Sequence, residues 1–181
     1  PVIAVQVYNE GSFYFRDGIF EHDYHPDALA LYQARVGGEP PRRFVRYDRA
    51  EMAAVLRWAE FQEELLGRGL GRMREALAHE GLDAAVLTHN LPPGEEGSPL
   101  SQAQLAGVVD LVGADLYYRL VELGSLRNRS LAQTAMSELP FAAELAAGGT
   151  PVLGVFRDRD AEMALLAALG HGVRALTLYM A

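Results

Sequence analysis

The chain reads as an α/β protein organised on a parallel sheet, and three observations carry that reading. Short apolar, β-branched runs alternate with longer segments of helical periodicity. The strand-like runs end in polar residues or glycine, as strands do where they pass into functional loops. Half of the 181 residues are hydrophobic, enough for one domain to bury a sizeable core. The order is strand, helix, strand, connection, strand, helix, strand, helix, strand, the rhythm of right-handed βα units. Five such strands form either an open sheet or strands four to eight of a (β/α)₈ TIM barrel. A sequence that begins at Pro1, directly on a strand, favours the barrel. The expectation is that residues 1–181 are the C-terminal portion of one barrel domain whose first three strands precede it.

The first strand is Val2 to Val7, buried and β-branched, ending in Tyr8-Asn9-Glu10-Gly11. A long aromatic and charged loop runs from Ser12 to about Asp23, a length that carries function or covers a site. His25-Pro26-Asp27 opens a short helix with proline in its first turn, and Gly37-Gly38-Glu39-Pro40-Pro41 ends it. From Asp48 to Glu80, apolar residues at Met52, Val55, Leu56, Ala59, Leu66, Leu70, Met73 and Leu77 have helical spacing. Gly67, Gly69 and Gly71 each cost about 1 kcal/mol relative to alanine there, which predicts a kink or close packing.

Gly81 caps that helix, and Leu82 to Leu91 is a buried strand that reaches His89 and Asn90. Pro92 to Ser98 is a loop of turn formers. Val108 to Tyr118 holds the next strand, Leu126 to Ser137 a helix, and Leu139 to Leu145 a strand ending near Glu144. Asp158 to Leu169 is a periodic helix stopped by Gly170, and Val173 to Met180 is a last strand carrying Tyr179.

Composition narrows the function classes. A net charge of −8 argues against a phosphate-backbone partner, so nucleic acid is not expected and a neutral or polar small molecule fits better. All 16 basic residues are arginine, a matter of composition and not of mechanism. The absence of cysteine excludes thiolate chemistry, disulfides and cysteine-ligated metals. No apolar run approaches the roughly 18 residues of a membrane span. No signal peptide is legible, which favours the cytoplasm; oligomeric state stays open.

The chemistry concentrates at strand ends, where α/β sheets and barrels hold their substrates. Two of these ends carry a carboxylic acid, Glu10 and Glu144. Cleaving a glycosidic bond needs a proton donor on the leaving oxygen and a second carboxylate at the oxocarbenium-like centre. Glu10 suits the first role if burial raises its pKa, and Glu144 the second. A separation of roughly 5–5.5 Å would mean a covalent intermediate and retention, and roughly 6.5–9.5 Å inversion. No cofactor is required.

The run Val5-Gln6-Val7-Tyr8-Asn9-Glu10 is similar to the Gln-hydrophobic-x-Asn-Glu strand of the retaining clan A glycoside hydrolases, and resembles most the family 35 β-galactosidases. That resemblance implies a β-linked carbohydrate substrate, Glu10 as acid/base, Asn9 as a hydrogen-bond partner of the sugar 2-hydroxyl, and Glu144 as nucleophile on strand seven. The β-galactosidases usually read Glu-Asn-Glu-Tyr-Gly, whereas this chain reads Tyr8-Asn9-Glu10-Gly11. Val112-Gly113-Ala114-Asp115-Leu116-Tyr117 is similar to their strand six, which makes Tyr117 the tyrosine beside the nucleophile. Gly172 to Met180 resembles strand eight, with Tyr179 as the aromatic residue in the sugar cavity. His89 and Asn90 end strand five and are expected to touch substrate. The rival reading is a carbohydrate-binding or structural barrel without catalysis.

Other signals have plainer explanations. His22-Asp23-Tyr24-His25-Pro26-Asp27 lacks a second motif with metal spacing, and its residues fit sugar contacts or helix capping through Asp23. Phe13, Tyr14, Phe15 and Phe20 are divided between sugar stacking and loop packing. Trp58 sits at an apolar helix position and is read as packing. Gly67-Arg68-Gly69-Leu70-Gly71 follows no strand and is no nucleotide loop. His79 and His171 lie near helix ends, where a protonated ring is favourable.

Overall fold

A computed structural model of the protein describes residues 2–11, 20, 23–92, 102–149 and 154–180. Five strands, β1 (Ala4–Gln6), β2 (Val86–Leu91), β3 (Leu111–Leu116), β4 (Phe141–Ala146) and β5 (Ala175–Tyr179), form one sheet in the order β1-β2-β3-β4-β5. Every neighbouring pair is parallel. Sequential order with one hand of crossover puts the connecting helices on one face, so the sheet curls into a half-barrel with these helices on its outside.

The helices are α1 (Pro26–Arg35), α2 (Arg49–His79), α3 (Gln102–Leu105), α4 (Leu123–Met136) and α5 (Asp158–Gly170), with a 3₁₀ turn at Leu120–Glu122. Asp48 caps α2 by accepting the Glu51 amide, and the Glu51 carboxylate in turn accepts the amides of Val45, Arg46 and Tyr47. The glycines do not break α2. A Cβ at Gly67 would lie 3.6 Å, and one at Gly71 3.9 Å, from a Val108 methyl, so the close packing expected there is with the α3–β3 connection. Leu66 and Leu70 of α2 pack with Leu87, Leu91, Val112 and Val7. Higher on α2, Trp58 and Phe61 pack with Tyr32 of α1, Trp58 stacking on Tyr24, which supports the packing role read for Trp58. A second sheet–helix core joins Ala114, Leu116, Ala142 and Leu145 to Leu126, Ala164 and Ala168.

Several local expectations need correction. The first strand is shorter than predicted and is not buried: β1 is an edge strand, with Ile3 79% exposed. β5 is the other edge, with Leu178 51% exposed. Edge position, not residue type, sets the exposure of these β-branched and aliphatic residues. The short helix α3 was read as connection, being a single turn without an apolar period. His25, not Asp23, caps α1: its Nδ1 accepts the Asp27 amide, while Asp23 accepts the His25 amide. Phe20 packs edge-on against Phe44. Phe13, Tyr14, Phe15, His22 and the Pro93–Ser98 part of the next loop lie outside the described residues.

β4 departs from regular alternation. Ala114 pairs with Ala142 but Asp115 pairs with Glu144, so β4 spends one extra residue against β3. The same extra residue shows on its other side, where Ala142 pairs with Leu176 and Leu145 with Leu178. This is a β-bulge at Ala143-Glu144. Ala142 and Leu145, three residues apart, both pack on the helix side, which leaves Ala143 and Glu144 together on the inner side.

Candidate functional site

Period-two alternation sorts the strand residues between the two faces. Leu87, Leu91, Val112, Ala114 and Leu116 pack against helices, so Thr88, Asn90, Gly113, Asp115 and Tyr117 face inward. Gly113 is needed on that face: a Cβ there would lie 2.6 Å from the Ala143 Cβ and 2.8 Å from Phe141 Cδ1. The inner face therefore gathers amides and carboxyls at the C-terminal ends of the strands, while the outer face is apolar.

Asn90 organises them. Its Oδ1 accepts the Glu10 amide at 2.9 Å and Gln6 Nε2 at 3.2 Å. Its Nδ2 donates to Asp115 Oδ2 at 2.8 Å, to Asn9 Oδ1 at 3.1 Å and, more weakly, to Glu144 Oε1 at 3.4 Å. One fully buried side chain on β2 thus ties the turn after β1 to β3 and β4. Tyr8 (φ 58°) and Glu10 (φ 48°) adopt left-handed backbone, unusual for residues with side chains and common at functional sites. Gly11 follows because a Cβ would lie 2.4 Å from Tyr8 Cδ1 and 2.8 Å from His89 Cε1.

Glu144, turned inward by the bulge, accepts a hydrogen bond from the Tyr117 hydroxyl. Tyr179 of β5 stacks on Tyr117, ring centroids 5.7 Å apart. The Tyr117 phenol is pushed far up by burial and by its bond to Glu144, so it stays a donor. Burial raises Glu10; hydrogen bonding from Asp115 opposes that rise, and the charge of Glu144 adds to it. Asp115 is pushed up to about 9, first by burial, then by its hydrogen bond with Glu10 and the charge of Glu144. Asp115 is thus a neutral acid at pH 7.

The structure brings Glu10, Asn9, Asn90, Tyr117, Glu144 and Tyr179 to one rim. His89 is placed apart. It alternates with Asn90 on β2, so its ring lies on the side of Leu87 and Leu91, fully buried, with Nδ1 2.9 Å from the Val7 carbonyl oxygen. Neighbours on one strand cannot both face the substrate, and His89 fastens β1 to β2 instead. Asp115 is the member that sequence reading missed; its spacing of two from Tyr117 places both on one face.

A cavity of about 810 Å³ lies elsewhere, between α2 and the segment leading into β3. Its two arginines are paired: Arg74 donates to the Val108 carbonyl and to Asp110, and Arg68 to Glu64. Among the described residues no group of three or more His, Asp or Glu side chains is arranged to hold a metal ion. No helix among them is long and apolar enough to cross a membrane.

Fold and site together define an α/β protein with a curled parallel half-barrel and an acidic, amide-lined inner rim. The chain matches no known protein-family model and no curated protein sequence.

Proposed function

We propose that this chain is the site-bearing part of a retaining glycoside hydrolase of the family 35 β-galactosidase type, acting on β-linked sugars, with its strands as strands four to eight of a (β/α)₈ barrel. The supporting observation is the convergence of a half-buried, pKa-raised Glu10 with a tyrosine-held Glu144 at strand ends on the inner face of the sheet. The open edges β1 and β5 are where three further strands would complete the barrel. In the first step Glu144 attacks the anomeric carbon while the leaving oxygen takes the Glu10 proton. In the second, Glu10 takes a proton from water, the water oxygen displaces Glu144, and both carboxyls return to their starting states. Tyr117 steadies Glu144 between steps. Asn9 offers its amide to sugar hydroxyls and Tyr179 a ring face to the pyranose C–H surface; Asn90, read from the sequence as a substrate contact, is fully buried with both amide atoms occupied and holds Asn9 and Glu10 in place instead.

The test is turnover of aryl β-glycosides by the unaltered protein and by Glu10→Gln and Glu144→Gln. Glu10→Gln lowers turnover about 10²–10⁴-fold, the span of general acid–base catalysis. Glu144→Gln abolishes it, and both variants keep their affinity for sugar. Full activity in either variant removes that residue from the mechanism. Sugar affinity without turnover in the unaltered protein selects the non-catalytic binding reading.

A further inference from the structure

Asp115 is the one carboxyl of the rim to which the proposed reaction gives no task. It is fully buried, on the inner face, opposite Glu144 in the ladder. Glu10 faces it from the turn after β1, Asn90 from β2, Tyr117 from its own strand and Glu144 from β4; Tyr179 of β5 lies behind Tyr117. None of these groups is a cation, and among the described residues no ion pair reaches any of the three carboxyls. Asp115 Oδ2 accepts from Asn90, while Oδ1 is buried with no settled partner of its own. An ionised Asp115 would be a buried charge beside two further carboxyls, with one oxygen unsatisfied. Protonated, it carries one O–H, and Glu10 is the acceptor within its reach.

Resting on the glycosidase reading, we propose that Asp115 is a positioning residue that keeps its proton and donates its O–H to Glu10, steadying the carboxylate formed each time Glu10 protonates a leaving oxygen. The Glu10 proton goes to the departing oxygen, and the Asp115 O–H then strengthens its bond to the new carboxylate. When Glu10 regains a proton from water that bond weakens, and Asp115 ends the cycle with the proton it began with. The same bond opposes the rise that burial imposes on Glu10, making it a stronger acid than its surroundings alone would allow.

Asp115→Asn and Asp115→Leu separate this role from simple packing. Beside the stretch of protonated Glu10, the unaltered protein shows an infrared carbonyl component of a protonated carboxyl that titrates near 9; Asp115→Asn lacks that component. Asp115→Asn, whose amide donates in place of the O–H, keeps turnover and pH profile close to the original. Asp115→Leu lowers kcat about 10–100-fold for aryl glycosides with poor leaving groups, the worth of a hydrogen bond to a charged group. It leaves good leaving groups nearly untouched and moves the Glu10 limb of the pH profile upward. Absence of the component titrating near 9, or equal loss in both variants across leaving groups, overturns the proposal. If the unaltered protein turns over no glycoside, the glycosidase reading falls by itself, and the component titrating near 9, with its loss in Asp115→Asn, still decides whether Asp115 holds a proton.

Discussion

Replacing Asn90 with alanine tests the arrangement at its hub. The substitution removes a fully buried amide whose Oδ1 accepts the Glu10 amide and Gln6 Nε2, and whose Nδ2 serves Asp115, Asn9 and Glu144. Gln6 and Asn9 are exposed and turn to water, but the Glu10 amide and Asp115 Oδ2 lose their partners in partly or fully buried positions. Each such group costs about 1–3 kcal/mol, and water entering the truncated site offsets part of that, leaving about 2–4 kcal/mol. At about 2–4 °C per kcal/mol for a domain of this length, thermal unfolding followed by circular dichroism moves down by about 5–15 °C. Asn90→Asp keeps the shape but adds a carboxyl to a rim that already has three. It is therefore less stable than Asn90→Ala at neutral pH and recovers in acid. An alanine variant melting within about 1 °C of the original, or identical behaviour of the two variants across pH, would refute the hub assignment.

Three further outcomes follow from the same geometry. The Asp115 pKa is about 9 in the folded protein against 3.8 unfolded. The folded state therefore binds the extra proton between those values, and its contribution is full below pH 4 and lost as pH rises through 9. One proton gives at most about 1.4 kcal/mol per pH unit. Urea unfolding of Asp115→Asn should show a correspondingly flatter decline from neutral to alkaline pH, and an unchanged slope contradicts the assignment. Tyr117→Phe removes the donor on Glu144 and lowers aryl glycoside turnover about tenfold or more; it leaves the alkaline tyrosinate absorbance step unchanged, because the Tyr117 phenol does not ionise there. Gly113→Ala drives a methyl into Ala143 and Phe141 and costs about 1–3 kcal/mol by overpacking, read as a lower urea midpoint.

Much of the architecture was legible because βα rhythm is a long-range signal. The apolar spacing from Met52 to Leu77 identified α2 within a residue of each end, and strand order followed from alternation with helices. Edge status was not legible: Val2 and Ile3 look like core residues, and only the count of hydrogen-bonded neighbours makes them a rim. Within the site, Asn9 and Glu10 stood out through their motif, and Tyr117 and Tyr179 through strand ends. Two of the gaps had a signal that went unused. His89 next to Asn90 violates period-two alternation, and Asp115 two before Tyr117 obeys it. The orientation of Glu144 had none, since Phe-Ala-Ala-Glu-Leu-Ala contains nothing that announces a bulge.

That bulge makes the address of Glu144 a matter of counting. Pairing Ala143 as an ordinary strand residue would turn Glu144 toward the helices with its carboxyl intact, whereas deleting Ala143 would restore strict alternation and leave Glu144 inward, between Ala142 and Leu145 on the helix side. The strand therefore behaves like a reading frame: which way Glu144 faces is set by how residues 142–145 are counted against β3, and Ala143 is the residue left out of the count.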